Sequence, residues 1–185
     1  MRIAFDVDGV VLKSIDMILG HLNEATGKKI SPADLLTWDL EPLGLNPKQL
    51  LEAVDNMYSM ESIDSYEGAV RTLEMVYELT ASPLLFITGR SDLESARRQL
   101  EALPWNPTTP EMIVTGGSRD KRVYLKETGA KFIIEDDELH LRDYLSEGVG
   151  VGLMIQPWNK RCEAPVTARF HGWSDVERWV TKNCA

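Results

Sequence analysis

Phe5-Asp6-Val7-Asp8-Gly9-Val10-Val11 places two carboxylates, two residues apart, directly after a short apolar run. An apolar run stopped by an acidic, glycine-containing turn reads as a buried strand and its exit loop. Working outward, apolar runs recur at 84–87, 112–114, 132–134 and 149–155. Thr88-Gly89, Thr115-Gly116-Gly117 and Glu135-Asp136-Asp137 stop the first three of these. The runs hardly alternate with polar residues, as expected of strands covered on both faces. With 2–5 as the first, they predict an α/β fold, a Rossmann-like parallel sheet of about five strands with helices on both faces.

Helix signals fall between the strands. Ser91-Asp92-Leu93-Glu94 and Ser174-Asp175-Val176-Glu177 fit capping boxes, the second leading a C-terminal helix with Val176, Trp179 and Val180 inward. Val70, Leu73, Val76 and Tyr77 mark a helix before the second strand. Leu139 and Leu145 mark one after the fourth, closed by Gly148. Nearly 60 residues separate the first strand from the helix at Val70, where a crossover needs roughly a dozen. Inside that stretch Ser31-Pro32 and Asn46-Pro47 each read as an N-cap followed by a first-turn proline. The expected organisation is a core of residues 1–13 and 69–185 with a small helical cap, 14–68, inserted after the first strand.

The whole chain of 185 residues is long enough to bury a core without metal or disulfide staples. Its 29 acidic and 20 basic residues give a net charge of −9. That balance argues against a nucleic-acid partner, and it requires any phosphate-handling site to gather its cations locally. Cys162 and Cys184 form neither a disulfide framework nor a CxxC motif. No apolar run approaches a membrane span, and Asp6 and Asp8 interrupt the N-terminal apolar stretch, so no signal peptide is expected. The expectation is a soluble cytoplasmic protein in a reducing compartment.

Chemistry concentrates at the strand ends. In open α/β sheets ligands bind outside the carboxyl ends of the strands. Asp6 and Asp8 project there, as does Glu135-Asp136-Asp137-Glu138. Carboxylates gathered this way repel one another, and a hard divalent cation, Mg²⁺, relieves that with oxygen ligands. The plainer alternative is that these acids only end strands and cap helices. Thr88, at another strand end, offers a hydroxyl and nearby main-chain N–H groups to an anion, or else caps a turn. Lys121 starts a helix before the fourth strand and supplies a point charge for phosphate, unless it is merely a solvated surface lysine. Lys126 and Lys131 compete for that place, but the spacing to the acidic pair favours Lys121.

Asp6-Val7-Asp8-Gly9-Val10, Thr88-Gly89-Arg90, Lys121 and Glu135-Asp136, in that order and context, resemble the four motifs of the haloacid dehalogenase (HAD) superfamily. The resemblance covers the whole chain, including a cap after the first motif. It implies a phosphatase in which Asp6 attacks phosphorus and Asp8 serves as general acid and base. It implies Mg²⁺ on the Asp6 carboxylate, the Asp8 main-chain carbonyl, Glu135 and Asp136, with Asp137 either a ligand, a support or a helix cap. Thr88 and Lys121 would stabilise the transferring phosphoryl group. Gly89 and Arg90 would touch the substrate, unless Arg90 pairs with acids instead.

Ile134-Glu135-Asp136-Asp137-Glu138-Leu139-His140 and Gln156-Pro157-Trp158-Asn159-Lys160-Arg161 resemble runs of the 5′(3′)-deoxyribonucleotidase-like group. The expected substrate is therefore a small soluble phosphate ester such as a (deoxy)nucleoside monophosphate. Trp158 replaces that group's tyrosine, and Thr88-Gly89-Arg90 is the generic form. Cap aromatics Trp38, Tyr58 and Tyr66 either stack a base or pack the cap against the core. A phosphosugar, a nucleic-acid end, or a non-catalytic binding role on the same fold remain open as alternatives.

Overall fold

The six strands of the sheet all run parallel, in the order β3-β2-β1-β4-β5-β6. They are β1 (Ile3–Phe5), β2 (Leu85–Thr88), β3 (Glu111–Val114), β4 (Phe132–Glu135), β5 (Gly150–Met154) and β6 (Ala168–Phe170). The computed structural model describes residues 1–37, 43–105 and 110–184. Helices α1 (Ser14–Thr26), α2 (Pro47–Ser59) and α3 (Ala69–Thr80) lie between β1 and β2. Then come α4 (Leu93–Glu101), α5 (Arg122–Thr128), α6 (Leu141–Ser146) and α7 (Trp173–Cys184). Among the described residues no helix is long and apolar enough to cross a membrane.

Alternation along the strands sorts the core into two layers. Phe5, Phe86, Phe132 and Ile134 point to the layer that includes Leu73 and Val76 of α3 and Val176 and Val180 of α7. Ala4, Leu85, Ile87, Ile133, Val151 and Leu153 point to the layer of Leu125 from α5 and Leu141 and Tyr144 from α6. Phe132 stacks on Trp179 with ring centroids 4.0 Å apart. That packing needs bare backbone on the neighbouring strand: a Cβ on Gly152 would stand 2.3 Å from Phe170 and 2.9 Å from Phe132.

Strand order reverses between β1 and β4, because the chain builds β2 and β3 on one side before returning to β4 on the other. A crevice opens at such a reversal, outside the carboxyl ends of the strands. Phe5 pairs with Ile134 in register, so Asp6 and Glu135 leave the two central strands side by side.

Residues after β1 leave and return through one neck. The Lys13 N–H donates to the Asp64 carbonyl and the Tyr66 N–H to the Val11 carbonyl, both at 2.9 Å. Beyond the neck α1 packs on α2, and Ile15, Ile18, Leu19 and Leu22 join Ala53 and Met57 in the apolar cluster continuous with the sheet.

Several local expectations are corrected. A sixth strand exists; its three residues bury only Phe170, which is too little for periodicity to register. Asp92, not Ser91, caps α4, its carboxylate accepting the N–H groups of Glu94 and Ser95. α7 begins at Trp173, ahead of Ser174, and Asp175 accepts the N–H of His171 at 2.7 Å. Ser31-Pro32 opens only a 3₁₀ turn, Pro32–Asp34, whereas Asn46-Pro47 does open α2. Tyr77 and Leu139, helix markers in the sequence, are exposed, and Leu139 precedes α6. Gly148 takes the left-handed conformation one residue beyond the C-cap of α6.

Candidate active site

The loop after β1 folds back on itself. The Val7 carbonyl accepts the N–H groups of Val11 and Leu12, each at 2.9 Å, and the Gly9 N–H donates to the Leu12 carbonyl at 3.0 Å. Gly9 sits at φ +78°, and a Cβ there would stand 2.0 Å from Oδ2 of Asp136. Glycine is needed at this position for both its conformation and its lack of a side chain. The first acidic loop thereby comes into contact with the second.

Asp6, Glu135 and Asp136 are buried and offer carboxylate oxygens that all lie within 4.8 Å of one another. The Lys121 ammonium bridges two of them, donating to Asp6 Oδ1 at 2.6 Å and Glu135 Oε1 at 2.7 Å. Oε2 of Glu135 accepts the N–H groups of Asp136 (2.9 Å) and Asp137 (3.2 Å). Oδ2 of Asp136 accepts the indole N–H of Trp158 at 3.0 Å, while its buried Oδ1 has no hydrogen-bond partner among the described residues.

Burial, helped by Glu135 and Asp8, pushes the Asp6 carboxyl up to about 8 despite Lys121. Burial, with Asp6 and Glu135 nearby, raises Asp136 well above the usual range. Lys121 goes the other way from most buried amines. Burial works against its charge, but Asp6 and Glu135 outweigh that and raise its pKa.

Asp8 occupies a different environment. Arg90 grips it with two donors, Nε to Oδ2 at 2.8 Å and Nη2 to Oδ1 at 2.6 Å. The Ser14 hydroxyl also donates to Oδ1, and that of Thr88 stands 3.4 Å from Oδ2. Burial alone would raise the Asp8 carboxyl, but Arg90 outweighs it and holds the pKa below the ordinary value. Two aspartates two residues apart are thus pushed in opposite directions, the pattern by which a site divides roles between like groups.

Asp6, Asp8, Thr88, Gly89, Arg90, Lys121, Glu135 and Asp136 line one cavity of about 250 Å³. Ser14 and Ile18 of α1 and Val54, Met57 and Tyr58 of α2 also line it. Lys126 and Lys131 are exposed and take no part. Asp137 pairs with Arg119 and accepts the Leu139 N–H at 3.0 Å, outside the carboxylate cluster. Of the insertion's aromatics, Tyr58 faces the cavity, Tyr66 lines a separate depression beside Gln156 and Trp173, and Trp38 lies outside the described residues.

The 156–161 run serves a purpose its sequence did not reveal. Gln156 donates its amide to the Gly9 carbonyl at 2.6 Å. Asn159 donates to the carbonyls of Asp136 (2.7 Å) and Met154 (2.8 Å). With Gln156 and Trp158 it braces the two acidic loops, and none of the three lines the cavity. Ser14, Gln99 and Arg119 were also not anticipated. Each reads in sequence as an ordinary polar helix or loop residue, and only the fold brings it to Asp8, Arg90 or Asp137.

Charge in the cavity does not balance. Asp6, Asp8, Glu135, Asp136 and Asp137 face Arg90, Arg119 and Lys121, an excess of two negative charges when all are ionised. Every cation is already paired with a carboxylate. The orphaned Oδ1 of Asp136 and the protons retained on the cluster fit a divalent cation with oxygen ligands.

No family model matches the chain, and no curated protein matches it. Solved structures of the same fold do. A conserved haloacid dehalogenase-like protein of unknown function from Agrobacterium tumefaciens superposes with a TM-score of 0.70 at 14% identity, covering 98% of this chain and 97% of that one. A predicted phosphoglycolate phosphatase from Haemophilus somnus gives 0.64 at 14%, covering 97% of each chain. A HAD family hydrolase from Deinococcus radiodurans, with bound phosphate and sodium, gives 0.61 at 13%, covering 98% and 95%. The chain has the Rossmann-like α/β fold of HAD-superfamily hydrolases.

Proposed function

We propose that this protein is a Mg²⁺-dependent phosphomonoesterase working through an aspartyl-phosphate on Asp6. The observation that carries the proposal is the buried trio Asp6, Glu135 and Asp136, bridged by Lys121 and holding an unpartnered carboxylate oxygen. Asp6, the Asp8 main-chain carbonyl and Asp136 would hold the metal. Glu135, whose oxygens serve Lys121 and two main-chain N–H groups, stands beside them as ligand or orienting group. The metal, when bound, neutralises charge on the phosphoryl oxygens.

Each remaining role belongs to a residue of this chain. In the resting site the proton sits on Asp6 and Asp8 is ionised, so that proton passes to Asp8 before reaction. The Asp6 carboxylate then attacks phosphorus and the ester oxygen leaves, taking the proton from Asp8. Asp8 then removes a proton from the water that hydrolyses the phosphoryl-aspartate, and orthophosphate departs. Lys121, the Thr88 hydroxyl and the Gly89 main chain orient the phosphoryl group. Residues 14–68 act as a small cap whose α1 and α2 exclude water and select the substrate.

The substrate class is a small soluble phosphate ester. Tyr58, with Ile18, Val54 and Met57 around it, offers an apolar, aromatic wall on which the non-phosphate part rests, which keeps (deoxy)nucleoside monophosphates on the panel. The predicted phosphoglycolate phosphatase of like fold adds small phosphorylated acids to it.

Hydrolysis of p-nitrophenyl phosphate tests the proposal directly, with Mg²⁺ and with excess chelator. Turnover that needs Mg²⁺ and disappears in Asp6→Asn is expected. Full turnover in chelator, or by purified Asp6→Asn, overturns it. Binding of Mg²⁺ and phosphate without turnover would point to a non-catalytic role.

A further inference from the structure

Gln99 lies in the last turn of α4 and is completely buried, yet it lines no part of the cavity. Its carbonyl oxygen accepts Nη1 of Arg90 at 2.8 Å. Its amide nitrogen donates to the main-chain carbonyls of Met57 (2.8 Å) and Met60 (3.0 Å). Those carbonyls close the C-terminal end of α2, where a helix leaves such groups without internal partners. The orientation of the amide is unambiguous, because the reverse would set donor against donor and acceptor against acceptor.

Arg90 in turn holds Asp8 through Nε and Nη2, as described above, with Nη2 also 3.4 Å from the Ser14 hydroxyl. Its guanidinium also lies over the Tyr58 ring, 5.4 Å from the centroid. Arg98 adds a second tie from α4, donating to the Tyr58 carbonyl at 2.6 Å.

We propose that Arg90 and Gln99 form a positioning relay that makes the placement of the Asp8 carboxylate depend on where the last turn of α2 sits. The relay has little slack. Each polar atom of Gln99 is committed and the side chain is fully buried, so breaking one contact strands a buried group. Displacement of the Met57–Tyr58 turn therefore carries Gln99 with it, and Gln99 carries the guanidinium that holds Asp8. Met57 and Tyr58 also wall the cavity, so the part of a ligand that does not react presses on the turn that sets the proton-transfer group. Gln99 is a positioning residue and touches no substrate.

The consequence for catalysis rests on the phosphomonoesterase reading; the mechanical coupling does not. The test therefore has two arms, with Gln99→Met, close in volume but unable to bridge, and Gln99→Asn, which keeps the amide but shortens its reach. The first arm compares an aryl phosphate with an alkyl phosphate, since a misplaced acid hurts most where the leaving group needs a proton. Both variants should lose about tenfold on the alkyl ester and less than about threefold on the aryl ester. A merely structural defect would lower both alike.

The second arm needs no activity. Amide hydrogen exchange around residues 57–61 should quicken about threefold or more in Asp8→Asn, while α5 stays as in the unsubstituted protein. An unchanged ester ratio in an active enzyme, or unchanged exchange at 57–61, overturns the relay. Quickened exchange in a protein that hydrolyses no phosphate ester upholds the relay and defeats the phosphomonoesterase reading.

Discussion

Trp158 donates its indole N–H to Oδ2 of Asp136 at 3.0 Å, while Oδ1 of the same carboxylate is buried with no hydrogen-bond partner among the described residues. A residue 22 positions away in sequence thus occupies one oxygen of the carboxylate and leaves the other free of hydrogen bonds among the described residues.

Trp158→Phe keeps the ring packing and removes the donor. The Mg²⁺ concentration giving half-maximal rate should rise by about tenfold or more, the usual scale for a group that orients a metal ligand. Magnesium titration of the initial rate, set beside calorimetric Mg²⁺ binding, checks this. An unchanged requirement would mean that Asp136 orients itself.

Asp6→Asn should lower turnover by on the order of 10³-fold or more, since an amide does not attack phosphorus. Thermal unfolding should be retained, because the variant also removes a buried carboxyl from a crowded acidic cluster. Steady-state phosphate release and a melting curve on the same preparation measure both halves.

Metal binding should be linked to protons. In the metal-free protein Asp6 keeps its proton up to about pH 8, whereas the unfolded chain releases it near pH 4. The folded state therefore loses relative stability as pH rises between those values, and Asp136 has the same sign. Asp8, held low by Arg90, has the opposite sign, but its contribution is complete once pH exceeds about 4. Tm in chelator should fall from pH 5 to pH 8, and the rise in Tm on adding Mg²⁺ should grow over that range. A Mg²⁺-induced rise that does not change with pH would contradict the protonated cluster.

Gly9→Ala should destabilise by on the order of 2 kcal/mol and weaken Mg²⁺ use, since the added methyl collides with the Asp136 carboxylate. Denaturant unfolding together with the Mg²⁺ titration reports both effects.

Tyr58→Leu should reorder a panel of nucleoside monophosphates and small phosphorylated acids, whereas Tyr66→Phe should leave the order intact, because only Tyr58 faces the cavity. Ranking by kcat/KM decides it; equal rankings would assign Tyr58 to packing alone.

Much of the fold was legible in the chain. Short unalternated apolar runs and acidic, glycine-bearing stops announce a parallel sheet with helices on both faces, since each is a local property of a few neighbouring residues. Lys121, Thr88 and the two acidic runs were legible as candidates for the same reason. β6 escaped because an edge strand that buries one side chain has no pattern to read. The place of the 156–161 run behind the acidic loops was not legible, because sequence shows which groups can donate and not toward what. Tertiary structure alone decided that Arg90 spends its donors on Asp8 and Gln99, that Trp158 braces Asp136, and that Asp8 is separated electrostatically from Asp6. The Arg90–Asp8 and Trp158–Asp136 contacts join residues 82 and 22 positions apart. Burial and Coulomb interaction depend on distance through the folded protein, which periodicity along the chain does not encode.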